Sequence, residues 1–156
     1  MLKKCFPTIT TLALVVLATV YSETLHADDS LDLLEYRDKV VVVDFWASWC
    51  VPCRRSFPWM NEMQEKYADS GLVIIGINVD TEESAIDSFL RDYPVNFKIV
   101  RDPNGDVARS FDVVAMPSSY VFGKDGSLIA THLGFKVKKQ REYESILLTA
   151  LRNDTE

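Results

Sequence analysis

The stretch Lys39–Ala47, KVVVVDFWA, constrains the fold more than any other part of this 156-residue chain. Successive strand side chains point to opposite faces, so β-branched and apolar residues at consecutive positions need cover on both sides. Such a strand belongs in the middle of a sheet, with helices above and below it. Three residues after it comes Cys50, followed by Val51, Pro52 and Cys53.

The rest of the chain reads as elements that build that sheet. SLDLLEYR (Ser30–Arg37) reads as a short helix capped by Ser30. Beyond the cysteines, Phe57, Met60, Met63 or Gln64, and Tyr67 recur at helical spacing up to Gly71, a C-terminal stop. LVIIGINVD (Leu72–Asp80) is a second buried strand, and TEESAIDSFLRDY a helix whose acidic start suits the helix dipole. NFKIV is a short strand and NGDVARSFDV a turn leading into a helix. SSYVF and SLIATHLG are strands joined through GKDG, whose glycines suit a hairpin. KKQREYESILLTALR closes the chain as an amphipathic helix with Ile146, Leu147, Ala150 and Leu151 inward. Alternating strands and helices followed by a hairpin imply an α/β domain: a mixed sheet with helices on both faces. The cysteines fall at the carboxyl end of its central strand, where chemistry gathers in open α/β sheets.

The N-terminus departs from this pattern. Lys3 and Lys4 precede the uncharged apolar run Ile9–Tyr21, and the small residue Ala27 follows. That layout describes a signal peptide over residues 1–27, ahead of one domain over 28–156; an uncleaved anchor is the alternative. The run is shorter than the ~20 residues of a comfortable membrane span. Cys5 precedes it and belongs to the leader. Removing residues 1–27 takes away Lys3, Lys4 and Glu23, leaving 15 Lys and Arg against 22 Asp and Glu, a net charge of −7. An acidic export product without a basic stripe is a poor nucleic-acid binder and a poor ligand for anionic membranes.

The exported portion keeps two cysteines. A closed zinc site needs four Cys or His ligands, and beyond Cys50 and Cys53 only His132 remains. No metal site is expected, although a copper site with outside ligands stays open. As a staple, a four-residue loop is worth about 2 kcal/mol at best, little to a domain with this apolar content. As a redox pair the two are well placed. With Cys50 at a helix N-terminus, free N–H groups and the dipole favour a thiolate. Pro52 fits the first turn, where its missing N–H costs nothing. Cys53, one turn on, can resolve a mixed disulfide. Arg54 and Arg55 add positive charge nearby, or simply form a solvated helix face. A C-x-x-C between strand and helix reads as a redox motif.

At VVVDFWASWCVPCRRSFPWMNEM the chain resembles the thioredoxin superfamily, and most the exported disulfide reductases of the TlpA/ResA type, which include cytochrome c maturation proteins. The likeness runs from about Lys39 to the C-terminus. It implies a thioredoxin fold in which VVAMPSSYVF holds a cis Met116–Pro117 bond, with an extra helix and strand inserted between Asp80 and Pro117. It implies catalysis by Cys50 and Cys53, with Asp44 matching the buried aspartate that exchanges a proton with the second cysteine; a hydrogen-bonded structural aspartate is the alternative. Gly76 stands where thioredoxins place a lysine, so Asp44 lacks a counter-ion and titrates high. Ser56 stands where several respiratory relatives carry glutamate. Trp46 is assigned to packing. Trp49, Pro52, Met116 and Pro117 are assigned to the substrate surface. No cofactor beyond the Cys50–Cys53 disulfide is implied. The partners implied are protein thiols and disulfides, with a membrane electron donor; a monomer outside the cytoplasm is expected. An oxidant or isomerase of the same fold, or a copper-handling or chaperone-like binding module, are the alternatives.

Overall fold

The computed structural model describes residues 31–153. The leader, Cys5 and the Ser30 cap therefore lie outside the described residues. A four-residue 3-10 turn, Leu33–Tyr36, is capped by Asp32, whose carboxylate accepts the Leu34 N–H at 2.8 Å. The elements that follow are β1 (Val40–Trp46), α1 (Cys53–Tyr67), β2 (Leu72–Asn78), α2 (Glu83–Asp92), β3 (Lys98–Arg101), α3 (Asp106–Ser110), β4 (Ser118–Phe122), β5 (Leu128–Leu133) and α4 (Gln140–Arg152).

The strands form one sheet in the order β3-β2-β1-β4-β5. β1 is central and buried at every residue, as its two-faced apolar pattern requires. The steps from β1 to β2 and from β2 to β3 are parallel. Right-handed crossovers taken in one direction place both intervening helices on the same face. On that face Val40, Val42, Trp46, Leu72 and Ile74 meet Phe57, Met60 and Met63 of α1, Ile86 and Phe89 of α2, and Leu147 and Ala150 of α4. The chain then returns from the β3 edge to β4, and the opposite face (Val41, Val43, Phe45, Ile75, Ile77) is covered by Leu33, Tyr36, Val107 and Phe111. The segment between Asp80 and Pro117 thus holds α2, β3 and α3, with β3 extending the sheet by an edge strand.

Two local features hold α1 in place. Its end passes through a 3-10 turn, Ala68–Ser70, to Gly71, whose φ of 97° is open to glycine without the Cβ penalty. At its far turn Lys66 and Tyr67 both donate to Glu144 of α4, at 2.7 and 2.5 Å. Burial of Phe57, Met60 and Met63 stabilises the docked helix by about 2 kcal/mol each.

Candidate active site

β1 ends at Trp46 and the chain turns over residues 47–52 before α1 begins. Trp46 is fully buried, its ring against Phe57 and Phe89 at 4.9 and 4.8 Å between centroids. Trp49 points the other way and is 66% exposed, with Val51 and Pro52 exposed beside it. Cys50 and Cys53 are joined by a disulfide, their Cα atoms 5.3 Å apart.

The helix starts at Cys53, with Pro52 as its cap residue, so Cys50 is not its first residue as the sequence pattern suggested. Residues 50–53 instead close a turn in which the Cys53 N–H lies 3.1 Å from the Cys50 carbonyl and 3.2 Å from Cys50 Sγ. The geometric consequence is retained: an N–H at the helix start, free of an intrahelical partner, is aimed at the sulfur of Cys50. Exposure separates the pair only slightly, 3% for Cys50 and 0% for Cys53. Arg54 and Arg55 are exposed, and Arg54 reaches the Ser48 carbonyl at 3.4 Å.

The loop before Cys50 is held by residues that sequence reasoning passed over. Asp80 accepts the Ser48 N–H at 2.7 Å and the Ser48 hydroxyl at 3.1 Å. Asn78 orients that carboxylate from both ends, its side-chain amide donating to Asp80 and its carbonyl oxygen accepting the Asp80 N–H. Asn78 and Asp80 are buried at the carboxyl end of β2, and Ser48 is half-buried. The available signal was a pair of polar residues, Asn78 and Asp80, closing an apolar strand next to the β1 terminus.

Asp44 is 1% exposed. Its Oδ1 accepts the Ser119 hydroxyl at 2.5 Å, while Oδ2 has no partner. Burial raises its pKa from 3.8 to about 7, opposed by the Ser119 hydrogen bond. Gly76 is its register partner on β2. A Cβ there would stand 3.0 Å from Ile99 Cδ1 and 3.1 Å from Trp46 Nε1, so a side chain at position 76 would run into the buried tryptophan. Ser56 is buried and donates to the Cys53 carbonyl at 3.0 Å.

β4 begins with Ser118 opposite Phe45, which brings the preceding residues to the end of the sheet that carries the cysteines. The Met116–Pro117 bond is cis. Met116 packs on the apolar cluster that contains Cys50 and Cys53, and the Pro117 carbonyl accepts the Gly134 N–H at 2.7 Å. Among the described residues no three His, Cys, Asp or Glu side chains are grouped to hold a metal ion, and no helix is long and apolar enough to cross a membrane.

Comparison with known proteins agrees with this geometry. Residues 18–131 match the AhpC/TSA family. The thiol-disulfide oxidoreductase ResA of Bacillus thuringiensis subsp. konkukian is 32% identical over 112 residues, 72% of this chain and 65% of that protein. The chain therefore matches slightly less than two thirds of that relative's length. ResA of Geobacillus kaustophilus is 32% identical over 116 residues, 73% of this chain and 67% of that protein. Among solved structures, a Chlorobium tepidum protein described as of the thiol:disulfide interchange protein DsbE type superposes with a TM-score of 0.75. It is 38% identical, covering 78% of this chain and 86% of its own. With a mixed five-stranded sheet and a cysteine pair at the strand–helix junction, the chain belongs to the AhpC/TSA family and has the thioredoxin fold.

Proposed function

We propose that this protein is a thiol–disulfide oxidoreductase that reduces disulfides of protein substrates through Cys50 and Cys53. The observation that carries the reading is the disulfide closed at the turn into α1, with the Cys53 N–H directed at Cys50 Sγ. In the reduced protein that N–H favours the thiolate of Cys50. The thiolate attacks one sulfur of the substrate disulfide, the substrate S–S bond breaks, and a mixed disulfide forms. The thiol of Cys53 then gives its proton, through water, to the carboxylate of Asp44 and attacks Cys50 Sγ. The substrate leaves as two thiolates, which take protons from solvent; it has gained two electrons, and Cys50 and Cys53 are again joined. An Asp44 carboxyl titrating near 7 suits that exchange at neutral pH.

Substrate is held on the surface made by Trp49, Pro52 and the Met116–Pro117 segment, an extended chain pairing with the backbone of Met116 by strand addition. The catalytic pair needs no other cofactor. The thiol-disulfide oxidoreductase relatives support the redox reading, and the basic-then-apolar N-terminus supports residues 1–27 as an export signal ahead of the 28–156 domain. The same reading has the protein act outside the cytoplasm as a monomer, rereduced by a membrane electron donor. Equilibration with glutathione tests the direction: a potential close to that of thioredoxin, ~ −270 mV, is expected. A value near the oxidising end, ~ −120 mV, would make the protein an oxidant instead, and failure of Cys50–Cys53 to exchange at all would remove the enzymatic reading.

A further inference from the structure

Asp44, Ser119 and His132 form one row across three neighbouring strands. Asp44 pairs with Ser119 across β1 and β4, and Ser119 pairs with His132 across β4 and β5. Opposed residues project from the same face of a sheet, here the face under α1 and α4. In the other direction the row continues through Gly76 to Ile99, neither of which has a polar side chain. The polar row thus leads one way only, from the buried carboxyl to the edge strand, where His132 is half-buried.

Asp44, Ser119 and His132 also line one cavity of about 20 Å³, together with Ser56 and Tyr143. That space is enough for a single water molecule. Ser119 spends its one hydroxyl hydrogen on Asp44 Oδ1, and Oδ2 of this cavity-lining residue has no hydrogen-bond partner.

We propose that His132 is the outer end of a proton route that connects Asp44 to solvent through water in this cavity. The inference rests on the proposed role of Asp44 as proton acceptor for Cys53. After the resolving step Asp44 holds the proton of Cys53 and must release it before the next cycle. The carboxyl gives that proton to the cavity water, the water passes one to the imidazole, and the imidazolium loses it to solvent at the sheet edge. Water and imidazole end as they began, and the two electrons stay on sulfur throughout. When the disulfide is rereduced the same route runs inward.

The surroundings suit a relay. The imidazole lies against the Tyr143 ring at 4.5 Å between centroids. The other groups facing it are Ser119 from β4 and Lys139 and Glu142 at the start of α4, which are paired with each other at 2.9 Å. Trp59 of α1 and Phe135 close the cavity from the remaining sides. Burial lowers the His132 pKa below 6.5, with Glu142 opposing and Lys139 reinforcing the shift. At neutral pH a neutral imidazole, able to accept a proton, therefore shares the cavity with a carboxyl that titrates near 7.

The test is steady-state reduction of a small disulfide by the full chain, with a small dithiol as electron donor, between pH 5.5 and 8.5, with His132→Gln, Asp44→Asn and the double variant. His132→Gln should slow turnover about tenfold below pH 7.5 and leave the reduction potential unchanged. Imidazole added to the buffer should restore most of the rate, and the histidine change should have no further effect once Asp44 is Asn. A wild-type rate and pH profile in His132→Gln, or a loss that imidazole does not relieve, would overturn the relay. If Asp44→Asn alone turns over like wild type, the proton role of Asp44 itself fails, which is a separate result.

Discussion

The backbone N–H of Cys53 lies 3.2 Å from the sulfur of Cys50, so the first residue of α1 serves the residue three positions ahead of the helix. A thiolate at Cys50 gains that donor, whereas Cys53, fully buried, gains none from the helix start. Alkylation of the reduced protein at pH 7 should modify Cys50 at least tenfold faster than Cys53. With Cys53→Ser, mixed disulfides with substrate should accumulate on a gel, and with Cys50→Ser they should not. Faster labelling of Cys53 would reverse the assigned roles.

Asp44 couples the site to stability. Its folded pKa of about 7 lies above the usual 3.8, so the folded state holds a proton that the unfolded chain has lost. The stability that Asp44 contributes therefore falls as pH rises from about 4 to about 7, by up to roughly 4 kcal/mol for an offset of this size. Asp44→Asn removes the titration. Denaturant melts should show the variant without the fall that Asp44 causes over that range and more stable than wild type at pH 8, with the two closest near pH 4.

The Ser48 loop depends on Asp80. Asp80→Ala leaves the Ser48 N–H and the Asn78 amide without their acceptor, a loss of about 1–3 kcal/mol for buried groups. Urea melts should register that loss, and stopped-flow fluorescence should show slower disulfide exchange as Cys50 loses its fixed approach. Asp80→Asn, which keeps one acceptor, should fall between the two.

Gly76 is a packing position as well as the neighbour of Asp44. Gly76→Ala sets a methyl against Trp46, Ile99 and Phe97 and should cost about 1–3 kcal/mol through overpacking. Gly76→Lys should be worse, since the ammonium would have to displace the Trp46 ring to reach Asp44. Thermal unfolding followed by tryptophan fluorescence reads both.

Trp49 is 66% exposed beside the disulfide and contributes little to the core. Trp49→Ala should raise KM for a protein disulfide several-fold while leaving kcat, stability and the rate with a small-molecule disulfide near wild type. An equal loss on both substrates would move Trp49 from substrate binding to the chemistry.

Much of this protein is written locally. The β1 run, the helical spacing from Phe57 to Tyr67, the Gly71 stop and the GKDG hairpin each depend on a few neighbouring residues, and each forms where the local pattern puts it. The cysteine spacing likewise brings both sulfurs together without help from the rest of the chain. The helix start was less legible, because the turn that Cys50 and Cys53 close among themselves competes with the first helical turn. What only the tertiary structure decided are the long-range partners. Ser48 meets Asp80 from 32 residues away and Asp44 meets Ser119 from 75. His132, one of two histidines in the sequence, joins the Asp44 row only through the antiparallel register of β4 and β5. Strand alternation assigns each residue a face, but which residues share a row depends on register between strands far apart in the chain, and that is settled when the sheet assembles.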